Sequence, residues 1–224
     1  MTVHATDHDR VVDLYRSRMT RILLVSGSTF DGSLQTAALR TAANFAPAGI
    51  DATLYDGLRR LPAFVPGERY APDTVTWLRH RVRASDAVLF CTPEYAGTLP
   101  GSLKNLLDWL IDNEDLKDKP VAWLSTATEG RDEGARATLE TVLTYAKAKI
   151  LRSACIRIPL DPGGVDQHGY VTDQRLHVAL LDVVQALLRS LLPAQEKPQP
   201  RHEPAWEAYS SVLPIVVRRG DGGS

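Results

Sequence analysis

The chain has 224 residues, of which 44% are hydrophobic and 24% are charged, and these proportions are ordinary for a globular protein of one domain. The formal net charge of -1 excludes the strong bulk charge with which proteins attract nucleic acid or anionic membrane surfaces. No apolar stretch approaches the roughly 18 residues of a membrane span, so neither nucleic acid nor a membrane is an expected partner.

Residues 1–18 are predicted to form an arm that precedes the folded domain. This segment is charged and lacks the apolar centre of a signal peptide, which favours a cytoplasmic protein. His4 and His8 would share one helix face, but solvated side chains in a frayed terminus are expected there rather than a metal site. Cys91 and Cys155 lie in apolar runs, so both are expected to be buried, reduced thiols, which also suits the cytoplasm.

Five short apolar runs alternate with helical patterns along residues 19–192, which we predict to be one domain. Most of the runs are apolar at consecutive positions, as in strands that are buried on both faces of a parallel sheet. The predicted strands are 21–26, 50–56, 86–93, 120–126 and a part of 148–158. Apolar residues at spacings of three and four predict helices near 34–45, 75–82, 103–110, 139–146 and 176–191. This alternation predicts an α/β fold with a doubly wound, five-stranded parallel sheet, strand order 2-1-3-4-5 and helices on both faces.

Residues 193–224 differ in composition from the domain and are predicted to form an extended, proline-rich tail. Trp206, Tyr209 and a short apolar run within it are expected to dock on the domain or on a partner subunit.

The segment "SGSTFDGSLQ" directly follows the first predicted strand and opens the first helix. Gly27 permits a tight turn, while Ser28, Ser33 and the backbone N–H groups at the helix N-terminus are donors that suit a phosphate group. The alternative is that Ser33 only caps the helix and Gly27–Ser28 only form a turn, and the residues alone leave both interpretations open. A Walker loop is excluded because no lysine is present, and the dinucleotide fingerprint is excluded because it needs a third glycine.

The third predicted strand ends in "TPEYAGTLPGSLKNLLDWL". Pro93 fixes the backbone, Gly97 permits an unusual turn, and Tyr95 between them is an aromatic side chain beside backbone amides. This combination suits a flat heterocycle at the carboxyl end of the strand. The alternative is a plain loop that leads into a helix beginning at Pro100–Gly101.

These two segments resemble the NADPH-dependent FMN reductase family, flavodoxin-like proteins that include soluble quinone, chromate and azo-dye reductases. The family pattern is Gly-Ser-x-Arg-x-x-Ser-x-Asn in the first loop and Pro-Glu-Tyr-Asn in the second. The second motif continues into a helix reading Pro-Gly-x-Leu-Lys-Asn-x-Leu-Asp-Trp. The chain matches this continuation at Pro100, Gly101, Leu103, Lys104, Asn105, Leu107, Asp108 and Trp109. The resemblance covers roughly residues 20–160.

The resemblance implies a flavodoxin-like oxidoreductase that binds FMN and uses NADPH or NADH. Hydride would pass from NAD(P)H through FMN to a quinone-like, azo or other small acceptor in ping-pong order. Such chemistry requires no protein acid or base, so no catalytic residue is named. The resemblance also implies a homodimer or homotetramer, with the helix from Gly101 to Leu110 at the interface and Trp109 in the interface or in the core. The positions implied for FMN binding are Gly27, Ser28, Phe30, Ser33, Leu34, Gln35, Pro93, Glu94, Tyr95, Ala96, Gly97, Ser125 and Thr126.

Three positions depart from the family pattern. Phe30 replaces the arginine of the first loop, Gln35 replaces its asparagine, and Ala96 replaces the asparagine of the second loop. Loss of the arginine removes a charge-assisted contact on the order of 1.5–3 kcal/mol, unless Arg131 or an arginine of a partner chain compensates. Phe30 itself is expected to turn away from the phosphate and pack over the flavin edge or against a neighbouring loop.

Two other functions remain open at this point. One is a flavin-binding or redox-sensing module that has no turnover of its own. The other is a reductase that supplies reduced FMN to a partner monooxygenase, a role that weak retention of FMN would suit.

Overall fold

The structure is a computed structural model that describes residues 19–68 and 70–191, so the predicted arm and the predicted tail both lie outside the described residues. Its strands are β1 (Thr20–Ser26), β2 (Ile50–Tyr55), β3 (Ala87–Cys91), β4 (Pro120–Ser125), β5 (Lys149–Ile150) and β6 (Ile156–Arg157). They pair in parallel in the order β2-β1-β3-β4-β5, with β6 also beside β4. The predicted strand order is therefore confirmed.

The fifth predicted strand is divided into two pieces. β5 pairs with the beginning of β4, at Pro120 and Val121, and β6 pairs with its end, at Leu124 and Ser125. Between the two pieces, residues 152–154 form a turn of 3-10 helix. Leu151 and Ala154 are buried in the core, so an apolar sequence that reads as one strand also contains a turn that fills core space.

In the described ranges, five α-helices cover the two faces of the sheet. They are α1 (Leu34–Asn44), α2 (Asp73–Ala84), α3 (Gly101–Ile111), α4 (Glu133–Tyr145) and α5 (Gln174–Leu191). Successive strand residues point to opposite faces. Leu23 and Val25 of β1 pack with α2, α3 and α4, whereas Ile22 and Leu24 pack with α1 and α5. None of the helices in these ranges is long and apolar enough to cross a membrane.

Three loops follow β1, β3 and β4 at one edge of the sheet. Because the strands are parallel, their carboxyl ends all lie at this edge, and the order changes direction at β1 and β3. Open α/β sheets bind ligands at such a position. The three loops, which we call the first loop (27–33), the second loop (92–100) and the third loop (126–132), hold most of the residues implied for FMN.

Candidate functional site

The first loop rests on the second loop through Gly27. The Gly27 N–H donates to the carbonyl of Cys91 over 2.8 Å. A Cβ atom at position 27 would lie 2.4 Å from Oγ1 of Thr92, far inside van der Waals contact. Gly27 is therefore required by the close approach of the two loops, in addition to the tight turn that the sequence indicates.

The hydroxyl groups of Ser28 and Ser33 organise the first loop from within. Both residues are buried. Ser28 Oγ accepts from the N–H of Phe30 over 3.1 Å, and Ser33 Oγ accepts from the N–H of Thr36 over 3.1 Å. Ser33 is thus the N-cap of α1, a role that is compatible with both interpretations left open by the sequence.

Backbone N–H groups at the start of α1 remain available beside these hydroxyls. The N–H groups of Leu34 and Gln35 have no hydrogen-bond partner within the described ranges, as is usual for the first turn of a helix. Together with the positive end of the helix dipole, they form an arrangement that favours an anion. This donor set fits the phosphate group of FMN. The hydroxyl groups of Ser28 and Ser33 hold the backbone that carries these donors.

The second loop contains a tight two-residue turn. Tyr95 and Thr98 exchange both of their backbone hydrogen bonds, over 3.0 and 3.1 Å. Between them, Ala96 and Gly97 have φ angles of 51° and 75°. Two successive left-handed residues define a type I′ turn, which favours Asn-Gly. The turn therefore explains the family's asparagine at this position, and Ala96 adopts a conformation that alanine disfavours.

Tyr95 is 51% exposed at the edge of the sheet, beside this turn. Pro93, which is partly buried, begins the loop, and its carbonyl accepts from the Thr92 hydroxyl over 3.0 Å. An exposed aromatic face next to backbone amides fits the isoalloxazine ring of FMN.

The carboxylate of Glu94 ties the second loop to α4. Glu94 Oε2 accepts from the N–H of Ala135, in the first turn of that helix, over 3.0 Å. At Gly134 a Cβ would lie 1.9 Å from the carbonyl oxygen of Gly97, so only glycine fits where α4 passes the turn. The sequence analysis did not assign this role to Gly134, which begins the segment Gly-Ala-Arg-Ala at 134–137.

The third loop is joined to α1 by a side-chain hydrogen bond. Gln35 Nε2 donates to Oγ1 of Thr126 over 3.0 Å. Ser125 and Thr126 are both buried, and Ser125 Oγ accepts from the N–H of Ala127 over 3.2 Å. With the contacts of Gly27 and Glu94, this bond brings the three loops together as one site.

Phe30 is one of three exposed residues in the first loop, together with Asp31 and Gly32. Its side chain is 67% exposed, and its ring lies against Gly32 of the same loop, where a Cβ would be 3.0 Å from the ring. The ring therefore lies against its own loop, and its expected packing over the flavin edge stays a prediction.

Two residues of the long matched motif, both on α3, hold the segment that follows β2. Asn105 donates to the carbonyl of Pro62 over 2.9 Å and accepts from the N–H of Phe64 over 2.8 Å. Trp109 Nε1 donates to the same carbonyl of Pro62 over 3.0 Å, and its ring meets that of Phe64 edge-on. Trp109 is 1% exposed, so of its two expected placements the core is the observed one.

The described residues offer no metal centre, since no group of three His, Cys, Asp or Glu side chains in 19–68 and 70–191 could hold an ion. Both cysteines are free thiols, Cys91 buried and Cys155 partly buried. Burial raises the pKa of each thiol, so neither is activated as a thiolate nucleophile.

Comparison with known proteins points in one direction. The family model described as NADPH-dependent FMN reductase matches residues 20–160. An NAD(P)H-dependent FMN reductase of Pseudomonas aeruginosa is 32% identical over 174 residues, which cover 75% of this chain and 92% of the relative. A quinone reductase of Escherichia coli K12 is 31% identical over 170 residues, covering 70% and 88%. The solved structure of FerB, a flavoenzyme NAD(P)H:(acceptor) oxidoreductase from Paracoccus denitrificans, is similar with a TM-score of 0.63 and 25% identity, covering 77% of this chain and 97% of that one.

Proposed function

Because the chain belongs to the NADPH-dependent FMN reductase family, we propose that it binds FMN where the three loops meet and transfers electrons from NAD(P)H to a small quinone-like acceptor. The protein is an oxidoreductase of this family, and its cofactors are FMN and NAD(P)H. FMN, when bound, supplies the ability to accept hydride from a nicotinamide and to release the electrons to a second substrate.

The observation that carries the proposal is the junction of the three loops beside the unpartnered N–H groups of Leu34 and Gln35. These amides bind the phosphate, and the turn at Tyr95 provides an aromatic face and fixed backbone amides for the ring. The hydroxyls of Ser125 and Thr126, both buried residues, lie beside the ring where the third loop begins. The role of the protein is thus to bind and orient the cofactor.

We further propose ping-pong order, in which the nicotinamide and the acceptor occupy the same open edge in turn. The carboxylate of Glu94 is engaged by the N–H of Ala135, so it serves the architecture of the site rather than proton transfer. We assign no acid or base to the site, and in this proposal solvent supplies the proton balance.

The experiment begins with the visible absorption spectrum of the freshly purified protein and the mass of any released cofactor. We expect a flavin spectrum and the mass of FMN, not that of FAD. Steady-state oxidation of NADPH and of NADH is then measured with benzoquinone, using apo-protein without added FMN as the blank. Parallel lines in double-reciprocal plots support ping-pong order. A protein that binds FMN but shows no turnover with either nicotinamide would be a flavin-binding module instead.

A second candidate is a reductase that releases reduced FMN to a partner monooxygenase. Phe30 favours it, because the loss of the family arginine removes a contact that would retain FMN. Gel filtration discriminates between the two functions: an enzyme with resident FMN elutes yellow, whereas a reductase that exchanges FMN elutes colourless and recovers turnover when FMN is added.

A further inference from the structure

A cavity of about 220 Å³ lies between the first loop and the carboxyl end of β2. Hydroxyl-bearing residues of the first loop and of α1 line one side of it, namely Ser28, Thr29 and Thr36. Phe30 also lines it, at the position where the family has an arginine. The cavity therefore adjoins the phosphate-binding turn, and an apolar ring stands in its wall where a cation would be expected.

The charged side chains around this cavity are mostly neutralised by one another. Arg59 pairs with Asp31 over 2.9 Å, and Asp56 pairs with Arg60 over 3.3 Å. Arg40, which is partly buried, is different. It donates to the backbone carbonyl of Gly169 over 3.3 Å and has no carboxylate partner within the described ranges. Arg40 thus adds a positive charge to the cavity, while the carboxylates of Asp31 and Asp56 pair with other arginines.

Arg40 reaches the cavity from α1, while its guanidinium donates to Gly169. Thr36 and Arg40 are four residues apart, so they lie on the same face of the helix, one turn from each other. Long side chains of a helix lean toward its N-terminus, which here is the end that carries the unpartnered amides. Arg131, by contrast, is an exposed residue of the third loop and is not among the residues that line the cavity.

We propose that Arg40 binds the phosphate of FMN in place of the arginine that the family carries at position 30. The inference rests on the proposed function and deepens it, because it names the cation of the cofactor site. Arg59 already pairs with Asp31, so it contributes less than Arg40 to binding of the phosphate. The guanidinium reaches the phosphate from the second turn of α1 instead of from the loop, so the replacement by Phe30 is tolerated.

The test is a titration of apo-protein with FMN and, separately, with riboflavin, followed by flavin fluorescence. Riboflavin has the same ring and ribityl chain but no phosphate. We expect Arg40→Gln to weaken FMN binding about tenfold or more, the range for a charge-assisted hydrogen bond, and to leave riboflavin binding unchanged. Arg131→Gln is the matched control and should alter neither. Adding Phe30→Arg to Arg40→Gln should restore FMN binding, and the FMN affinity of the wild type should fall as salt rises.

Two results would overturn the proposal. Equal losses for FMN and riboflavin would show that Arg40 acts on the structure through Gly169, and undiminished FMN binding would show that another group holds the phosphate. The proposed function fails separately, if the wild-type apo-protein binds neither flavin. A wild type that prefers FMN to riboflavin, with an Arg40→Gln variant that keeps this preference, leaves the function standing and removes only Arg40 from it.

Discussion

At Ala96 the chain keeps the turn that the family pattern indicates but departs from that pattern in residue type. The type I′ turn needs two residues with positive φ, and for a residue with a Cβ that conformation costs about 1–2 kcal/mol of free energy. Glycine adopts a positive φ readily, so Gly97 suits the turn, whereas Ala96 adopts a positive φ at this cost. The asparagine of the family pattern is therefore a requirement of the backbone, and this chain retains the turn without the residue that favours it.

Replacing Ala96 by asparagine should stabilise the protein by about 1 kcal/mol, since asparagine adopts left-handed conformations far more readily than alanine. The measurement is the midpoint and slope of urea unfolding. Ala63→Asn is the control, at an exposed position whose φ is not positive. A destabilised Ala96→Asn protein would mean that the turn is not strained.

At the scale of elements, most of the long family motif lies on α3, whose side chains hold the segment after β2. The described part of the segment after β2 has no regular structure between residues 61 and 68, yet Asn105 and Trp109 fasten it to the helix through Pro62 and Phe64. The matched helix thus holds the segment after β2, whereas the residues proposed to bind FMN lie mainly in the three loops.

Asn105→Ala should release this segment from α3. The substitution leaves the N–H of Phe64 without its acceptor, which is expected to cost about 1–3 kcal/mol. Hydrogen exchange at the Phe64 amide and limited proteolysis within residues 61–68 should both accelerate. Lys104→Ala is the matched control on the same helix, since the Lys104 side chain forms a surface pair with Asp108 of the same helix. Equal protection in the Asn105 and Lys104 variants would contradict the anchoring role.

Sequence reasoning predicted the elements that have a hydrophobic period, and it missed those held by individual side chains. β1, β3 and β4 are apolar at consecutive positions, so their burial and order could be expected. The break after β5 could not, because Leu151 and Ala154 are as apolar as strand residues. The anchoring of Pro62 by Asn105 joins positions 43 residues apart and leaves no local pattern. Gly134, likewise, is explained only by the approach of Gly97.

At the scale of the whole molecule, a homodimer remains a prediction from the family resemblance. Since Trp109 is buried in the core, it no longer serves as an aromatic anchor for that interface. The face of α3 that is left to a partner bears Lys104 and Asp108. Light scattering at micromolar concentration should give twice the 24.6 kDa mass of the chain. A monomer under those conditions would remove α3 from consideration as an interface.

The interruption between β5 and β6 also bears on the solubility of the protein. An outer strand of a sheet presents unpaired N–H and carbonyl groups, which invite another chain to add to the sheet and begin an aggregate. The strands at this edge, β5 and β6, are each two residues long, and a turn of 3-10 helix separates them. The exposed residue Lys149 adds charge to it. Within residues 19–68 and 70–191, the β5–β6 edge therefore offers no continuous template to which a second chain could add.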